Sequence, residues 1–289
     1  GASMRAYLGT RGGRAPIRIG PGVTEIVTGR SGVITSFSAG GPSAFGHQLK
    51  PDVAAPGGEI LSATLRQYTG GSPFANFDGT SMSAPHVTGA VALLTQRHPD
   101  WSVRQMKSAL MSTAGAAWGN SARTQEASVL LEGAGLVNVQ AADSPLIFSE
   151  PGSLSFGDLN LLAGVTSKQL LLSVRDAGGG AGTWTVELQP QSASAGATLE
   201  LPSTVTVAPG GSVDVQVTAR AGAAAPKGDN YGFVVLRSGA ATRRVPYAFF
   251  VTRPGLHAVT ARQLRRIQEG STRTGRSFAD LYRFPAAPF

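Results

Sequence analysis

The spacing of apolar residues predicts strands and helices over the first 143 positions. Short apolar runs at 16–19 and 33–37 predict two strands. Helical spacing begins near Ser81 and stops ahead of Pro99, which predicts a helix between them. Mixed strands and helices of this kind are typical of an α/β domain.

A second helix is predicted after Ser102. The Ser102 side chain can accept a hydrogen bond from the backbone three residues on, and Gln105 can return one, which is the capping-box pattern. Four apolar residues at helical spacing predict one buried face for this helix: Val103, Met106, Leu110 and Met111.

Beyond residue 143 the spacing changes from helical to alternating. Apolar residues alternate with polar ones at 170–174, 184–188 and 213–217, which predicts half-buried strands. The apolar run 233–236 and the alternating stretch 245–251 are separated by a turn at 237–240, which predicts a hairpin. An all-β sandwich over residues 144–253 accounts for this pattern. Three tryptophans are expected to be packing anchors: Trp101, Trp118 and Trp184.

Composition indicates a folded, loop-rich chain. Hydrophobic residues make up 42% of it and charged residues 15%, whereas a disordered chain would be poorer in apolar groups and richer in charge. The absence of cysteine excludes a small scaffold held together by disulfides. No stretch approaches the roughly 20 apolar residues of a membrane span, so no membrane span is expected.

The net charge of +8 is concentrated near the C-terminus, because residues 254–289 hold 6 basic and 2 acidic residues. Few aromatic residues lie between these basic ones, so a solvated segment is favoured over a nucleic-acid-binding surface and no nucleic-acid partner is expected. Residues 254–289 are interpreted as a basic tail or as the start of a truncated further domain.

Candidate chemistry centres on Ser81. Gly79 and Thr80 predict a tight turn into the helix, which puts the hydroxyl and N–H of Ser81 at the positive end of the helix dipole. Pro85 is expected in the first helical turn, where a missing N–H breaks no intrahelical bond. A nucleophilic serine needs such an exposed turn, a base within reach and donors directed at the oxyanion. A simple helix-capping serine is the alternative.

Two stretches around Ser81 resemble one known family. GTSMSAPHVTGAVALL at 79–94 resembles the catalytic-serine motif of the subtilisin-like serine peptidases, and KPDVAAPGGEILSA at 50–63 resembles the segment that precedes that serine. Residues 102–114 and 133–138 also resemble the end of the catalytic domain in this family. The resemblance implies that Ser81 is the nucleophile, with oxyanion and substrate-proximal positions at Ser81, Thr80, Gly79 and Asp78.

The resemblance also implies a domain organisation. Residues 1–20 are similar to the end of a protease-associated insert, and 21–143 to the C-terminal part of the parallel-sheet catalytic domain. Residues 144–253 resemble the fibronectin type III-like domain of multidomain members. A polypeptide substrate and a secreted or cell-surface location are implied as well.

The chain departs from the family in the remainder of the active site. Members place the triad in the order Asp, His, Ser, and the motifs for the first two are not found here, nor is the segment with the second oxyanion donor, an asparagine. His86 lies inside the serine motif and is expected to be structural. Asp52 and Asp78 are expected at a strand end or a turn rather than as the triad acid.

An N-terminal fragment of the same enzyme, carrying Asp and His, is therefore the expected partner, and the isolated chain is expected to be inactive. A non-catalytic surface or adhesion protein with a relic peptidase half-domain stays open as the alternative. No cofactor or metal is expected from the sequence, because no acidic cluster has calcium-loop spacing. A structural calcium is possible by family resemblance.

Overall fold

The computed structural model describes residues 10, 30–44, 46–161 and 164–253, together with the strand residues 262–263 and 282–283. Contacts divide the chain into two compact units, Gly1–Ser31 and Gly32–Phe289. The first unit lies almost wholly outside the described residues, so the strand expected at 16–19 and the insert expected at 1–20 do as well. Most of 254–289 also lies outside them.

Four α-helices are described, all in the first half of the chain. They are α1 (Thr80–Arg97), α2 (Val103–Ser112), α3 (Val129–Glu132) and α4 (Val139–Ala142). A 3-10 turn covers Arg66–Tyr68. No helix among the described residues is long and apolar enough to cross a membrane.

The described strands fall in four sheets. The first is a hairpin of β1 (Ile60–Ala63) and β2 (Phe74–Phe77). A four-stranded sheet has the order β3 (Ile147–Glu150), β5 (Ser167–Asp176), β9 (Ser212–Ala221) and β7 (Ala197–Glu200). A five-stranded sheet has the order β4 (Leu154–Asn160), β11 (Ala241–Thr252), β10 (Gly228–Ser238), β6 (Gly182–Ser192) and β8 (Thr204–Val207). The strands β12 (Arg262–Gln263) and β13 (Tyr282–Arg283) form a parallel pair.

The part of the chain from 32 to 143 contains both predicted helices. Parallel pairing in this part consists of two isolated bridges, Val33 with Trp118 and Ala54 with Leu136. The strand expected at 33–37 therefore forms only at Val33. Residues 32–143 thus keep the helices of an α/β domain, whereas a continuous parallel sheet is not formed among the described residues.

The capping box of α2 is confirmed. Ser102 Oγ accepts from the Gln105 N–H at 3.3 Å, and Gln105 Oε1 accepts from the Ser102 N–H at 2.8 Å. The buried face is confirmed for Met106, Leu110 and Met111, but Val103 is 81% exposed and the prediction for it is wrong. The covering strand β3 packs on α2 further along the helix, where the Ser149 N–H donates to Ser108 Oγ, and leaves Val103 uncovered.

The predicted sandwich is formed by the five- and four-stranded sheets. Side chains from the inner faces of both sheets share one core, in which Trp184 is 1% exposed and donates its indole N–H to the Gly180 carbonyl. The predicted hairpin is also confirmed, because β10 and β11 pair from Gly228↔Val251 to Ser238↔Ala241 across a two-residue turn. Because apolar and polar residues alternate along these strands, one face of each strand lies in this core.

A separate cluster joins the sandwich to residues 32–143. Leu49 and Val129 pack there against Phe233 and Phe250, and all four side chains are buried. The side chain of Gln191 on β6 adds two hydrogen bonds, because it accepts from the Val129 N–H and donates to the Ala127 carbonyl. The two parts therefore share a packed junction.

Candidate active site

Ser81 is the second residue of α1 and is exposed. Gly79 is the N-cap and has a φ of 153°, a conformation that residues with a Cβ rarely adopt. The N–H groups of a first helical turn have no carbonyl four residues back, and the helix dipole adds partial positive charge there. The Ser81 hydroxyl and backbone N–H therefore lie where an oxyanion would be stabilised.

Pro85 is not in the first helical turn, so the expectation for it is wrong. Because α1 begins at Thr80, Pro85 is the sixth helical residue. Its missing N–H removes the bond to the carbonyl four residues back, which belongs to Ser81. The helix immediately after Ser81 thus has one intrahelical hydrogen bond fewer than a regular helix.

The serine turn rests on the loop that leads into β1. The Gly79 N–H donates to the Gly57 carbonyl at 2.8 Å, and the Glu59 N–H donates to Asp78 Oδ1 at 2.7 Å. A Cβ on Gly57 would lie 2.2 Å from Ser83 Oγ and 2.8 Å from the Gly79 carbonyl oxygen. Only glycine allows this approach, so the loop fixes the position of the turn from one side.

The hairpin carries the chain from this loop back to the serine. The pair Ile60↔Phe77 is at the open end of the hairpin, which is the end nearest the serine turn. Asp78 follows β2 directly, and its carboxylate is used for the bond to Glu59. The expectation that Asp78 is a turn residue agrees with this contact.

No described histidine is hydrogen-bonded to Ser81. The imidazole of His86 is bonded through Nδ1 to the Met82 carbonyl oxygen at 2.8 Å, one turn back on the same helix. His98 lies beyond the far end of α1, where Nε2 meets Asp143 at 2.8 Å and the ring stacks on Trp101. His86 is therefore a helix residue, as expected from the sequence.

Of the two remaining histidines, the described one is also bonded away from Ser81. His47 Nδ1 lies 2.5 Å from Asp158 on the sandwich, and His257 lies outside the described residues. Within the described chain Ser81 thus has its turn and its helix dipole but no imidazole partner.

Asp52 has a structural environment. Lys50 Nζ lies 2.8 Å and Lys107 Nζ 3.0 Å from its carboxylate oxygens. Burial acts to raise the pKa of Asp52, but the hydrogen bonds from the two lysines outweigh it and hold that pKa below its ordinary value. The carboxylate is therefore used to join α2 to the segment before the hairpin.

Helix α1 and the hairpin that precedes it leave several large apolar side chains exposed. Helix α1 has only Ala90 and Leu94 buried. Five large apolar side chains on α1, β1, β2 and the loop between them are more than half exposed: Leu93 at 56%, Leu61 at 69%, Leu65 at 61%, Tyr68 at 74% and Phe74 at 55%. Large apolar side chains left exposed on a helix and a hairpin are typical of elements that bind another chain.

The donor set does not indicate a metal. Among the described residues no group of three His, Asp, Glu or Cys side chains could hold a metal ion. The possible structural calcium stays an expectation from family resemblance.

The sequence missed Gly57 and Glu59 as supports of the serine turn. Both lie in the stretch 50–63 that resembles the segment preceding the catalytic serine, so the signal was present. Their contacts with Gly79 and Asp78 span about 20 residues, and a motif does not specify them.

Comparison with known proteins finds matches to the segment around this site. Residues 22–138 match the model of the subtilase family, Peptidase_S8. The minor extracellular protease Vpr of Bacillus subtilis (strain 168) is 31% identical over 156 residues, which cover 53% of this chain and 19% of that protein. In Arabidopsis thaliana the subtilisin-like protease SBT2.6 is 43% identical over 106 residues (33% of this chain, 13% of that protein), and SBT1.9 is 39% identical over 121 residues (39% and 16%).

These matches cover less than a fifth of the length of each of the three relatives. Among solved structures, that of the Vibrio cholerae VesB protease aligns over 48% of this chain and 41% of its own, with a TM-score of 0.24 and 11% identity. No fold relationship follows from a score at that level.

Proposed function

We propose, on the premise that residues 22–138 are a subtilase segment, that this chain supplies the nucleophile of a serine endopeptidase, Ser81. The observation that carries the proposal is the exposed serine on a glycine turn at the N-terminus of α1. That combination presents both a nucleophilic oxygen and a backbone donor to a bound carbonyl group.

The reaction is peptide-bond hydrolysis through an acyl-enzyme. Ser81 Oγ attacks the scissile carbonyl carbon while a histidine takes the hydroxyl proton, and the Ser81 N–H helps to hold the oxyanion. The histidine then returns the proton to the leaving amine. Water hydrolyses the ester and regenerates Ser81.

The histidine and its aspartate come from an N-terminal polypeptide of the same enzyme. Two observations support this partner. The described histidines are bonded elsewhere, and large apolar side chains of α1 and of the hairpin, the two elements that meet at the serine turn, are exposed. A partner that completes the active site would cover that surface, which is an energetic reason for the association.

The expected properties of the protein follow. The substrate is a polypeptide and the location is secreted. The chain without its partner has negligible turnover, because the serine, histidine and aspartate of a triad act as a unit and the serine alone has lost its base. The Bacillus relative is named as an extracellular protease, which supports the location. The fibronectin type III-like character of 144–253 is supported by the two-sheet sandwich.

Active-site labelling tests the proposal. The complete enzyme, with its N-terminal polypeptide present, should be labelled by a fluorophosphonate probe at Ser81, and Ser81→Ala should remove both labelling and casein hydrolysis. Ser83→Ala, which deletes a hydroxyl two residues further along the same helix, is the matched control and should keep both. Labelling that survives Ser81→Ala would exclude Ser81 as the nucleophile.

The same experiment addresses the non-catalytic alternative. A folded complex in which wild-type Ser81 is not labelled would favour a surface or adhesion role. Casein hydrolysis by the purified chain alone would contradict the requirement for a partner.

A further inference from the structure

A carboxyl group is completely buried where residues 115–136 meet the sandwich. Glu132, the last residue of α3, is 0% exposed. Its Oε2 accepts from the Ala117 N–H at 2.7 Å, whereas its Oε1 is buried without a hydrogen-bond partner among the described residues. A buried oxygen of this kind is costly as part of a carboxylate, and less costly when it carries a proton.

Two charged side chains lie next to Glu132. Arg244, on β11 of the sandwich, donates to Glu126 Oε1 through Nη1 and to the Ala134 carbonyl through Nη2 at 3.0 Å. Its guanidinium carbon lies 3.9 Å from the centroid of the Phe233 ring. Arg244 therefore connects the sandwich to the chain on both sides of Glu132.

The charges of this cluster do not balance if both carboxyls are ionised. Arg244 supplies one positive charge, and its direct partner is Glu126. Among the described residues Glu132 has no cation of its own, and the Arg244 Nε is likewise buried without a partner. Burial, followed by the repulsion from Glu126, raises the pKa of Glu132 to about 8. A proton on Oε1 also gives Glu132 a donor that can bond the neighbouring Glu126 carboxylate.

We propose that Glu132, Glu126 and Arg244 form a proton-dependent latch between residues 115–136 and the sandwich. With one proton on the two carboxyls the cluster is neutral and the junction is closed. When that proton is lost, an uncompensated negative charge remains among buried groups and the junction opens locally.

The sign of the pH dependence follows from linkage. The ordinary value for Glu132 is 4.5, and its folded value is about 8. Stability from this group is fully present below pH 4.5 and is lost progressively as the pH rises towards 8, because the folded state binds the extra proton in that window. The latch is therefore closed in acid and opens in mild alkali.

Hydrogen exchange of the full chain tests the latch. The Val129 amide, bonded to Gln191 Oε1, reports on the junction, and the Val217 amide in the β5–β9 ladder reports on the sandwich core. After correction for intrinsic exchange, the protection of Val129 should fall by up to about tenfold per pH unit between pH 6 and 8 and then level off. Val217 should keep its protection.

Glu132→Gln is the decisive variant, since it keeps an acceptor for Ala117 and a donor for Glu126 but has no proton to lose. It should abolish the pH dependence at Val129. Glu200→Gln removes an exposed carboxylate paired with Arg220 and should leave that dependence intact. An unchanged pH dependence in Glu132→Gln, or a parallel loss of protection at Val217, would overturn the latch.

A measurement on the wild-type chain covers the case in which Glu132→Gln does not fold. The side-chain carboxyl carbon of Glu132 can be followed by NMR as the pH is raised. A midpoint near 8 supports the latch, and a midpoint near the ordinary value of 4.5 refutes it.

Discussion

The backbone N–H of Glu59 donates a 2.7 Å hydrogen bond to the carboxylate of Asp78, three residues before Ser81. This bond and the one from the Gly79 N–H to the Gly57 carbonyl are two contacts that hold the serine turn against the neighbouring loop. The turn therefore depends on a side chain that does not take part in the proposed chemistry.

Removal of this carboxylate should loosen the turn. Asp78→Ala is expected to lower the free energy of unfolding by about 1 kcal/mol, the usual net contribution of one hydrogen bond. In the complete enzyme it should also slow fluorophosphonate labelling of Ser81. Asp78→Asn keeps an acceptor oxygen and is expected to stay close to wild type in both assays. Equal losses in the two variants would mean that the charge of Asp78, rather than its hydrogen bond, is what matters.

Gly57 is expected to be intolerant of any side chain. Gly57→Ala would bring a methyl group to within 2.8 Å of the Gly79 carbonyl oxygen and closer still to Ser83 Oγ, which should cost about 1–3 kcal/mol and displace the serine turn. Chemical unfolding of the isolated chain measures the cost.

Gly89→Ala is the matched control for Gly57→Ala. A Cβ on Gly89 would have no described heavy atom within 4 Å beyond the neighbouring backbone of its own helix, and the residue lies inside α1. The isolated chain should therefore be stabilised by up to about 1 kcal/mol, because alanine is the better helix former. A loss of stability in Gly89→Ala similar to that in Gly57→Ala would show that the close approach at Gly57 is not the cause.

Local patterns in the sequence predicted the elements whose determinants are local. Ser102 and Gln105 form the expected capping box, and β10 and β11 form the expected hairpin, because each depends on residues close together in the chain. The helix that carries Ser81 was also expected at its observed place. Spacing, caps and turns are sufficient for such features.

Features that depend on distant contacts were not predictable in the same way. Val103 has the helical spacing of a buried residue, yet its exposure is decided by where β3 crosses α2. The pairing of Arg244 with Glu126 joins residues 118 positions apart, and neither has a sequence pattern that indicates it. The candidate nucleophile could thus be found from its motif, whereas its supports and the junction could not.

The acid stability of the sandwich should depend on Asp176. Its carboxylate accepts from the N–H groups of Gly178, Gly180 and Gly210, and these bonds hold its pKa below the ordinary value of 3.8. A lowered folded pKa gives stability that is present above about pH 4 and is lost as the pH falls through the folded value.

Asp176→Asn tests this dependence. Asparagine can keep the two hydrogen bonds that Oδ1 accepts. Its NH2 group, however, would lie opposite the Gly210 N–H, and two donors cannot form a hydrogen bond with each other. The variant should be less stable than wild type in urea at pH 7, and the difference should shrink at pH 3. A difference of the same size at both pH values would contradict the charge-dependent contribution.

Substitutions of two adjacent leucines on α1 should distinguish the stability of the chain from its association with the proposed partner. Leu94 is 1% exposed and Leu93 is 56% exposed, so Leu94→Ala should cost about 2–5 kcal/mol in the isolated chain and Leu93→Ala less than about 0.5 kcal/mol. Urea unfolding measures both. Titration with the N-terminal polypeptide should then show the opposite order of effects: Leu93→Ala should weaken the complex and thereby reduce labelling of Ser81, because the proposed partner covers the exposed apolar side chains of α1. Wild-type affinity in Leu93→Ala would mean that the partner does not cover this end of α1.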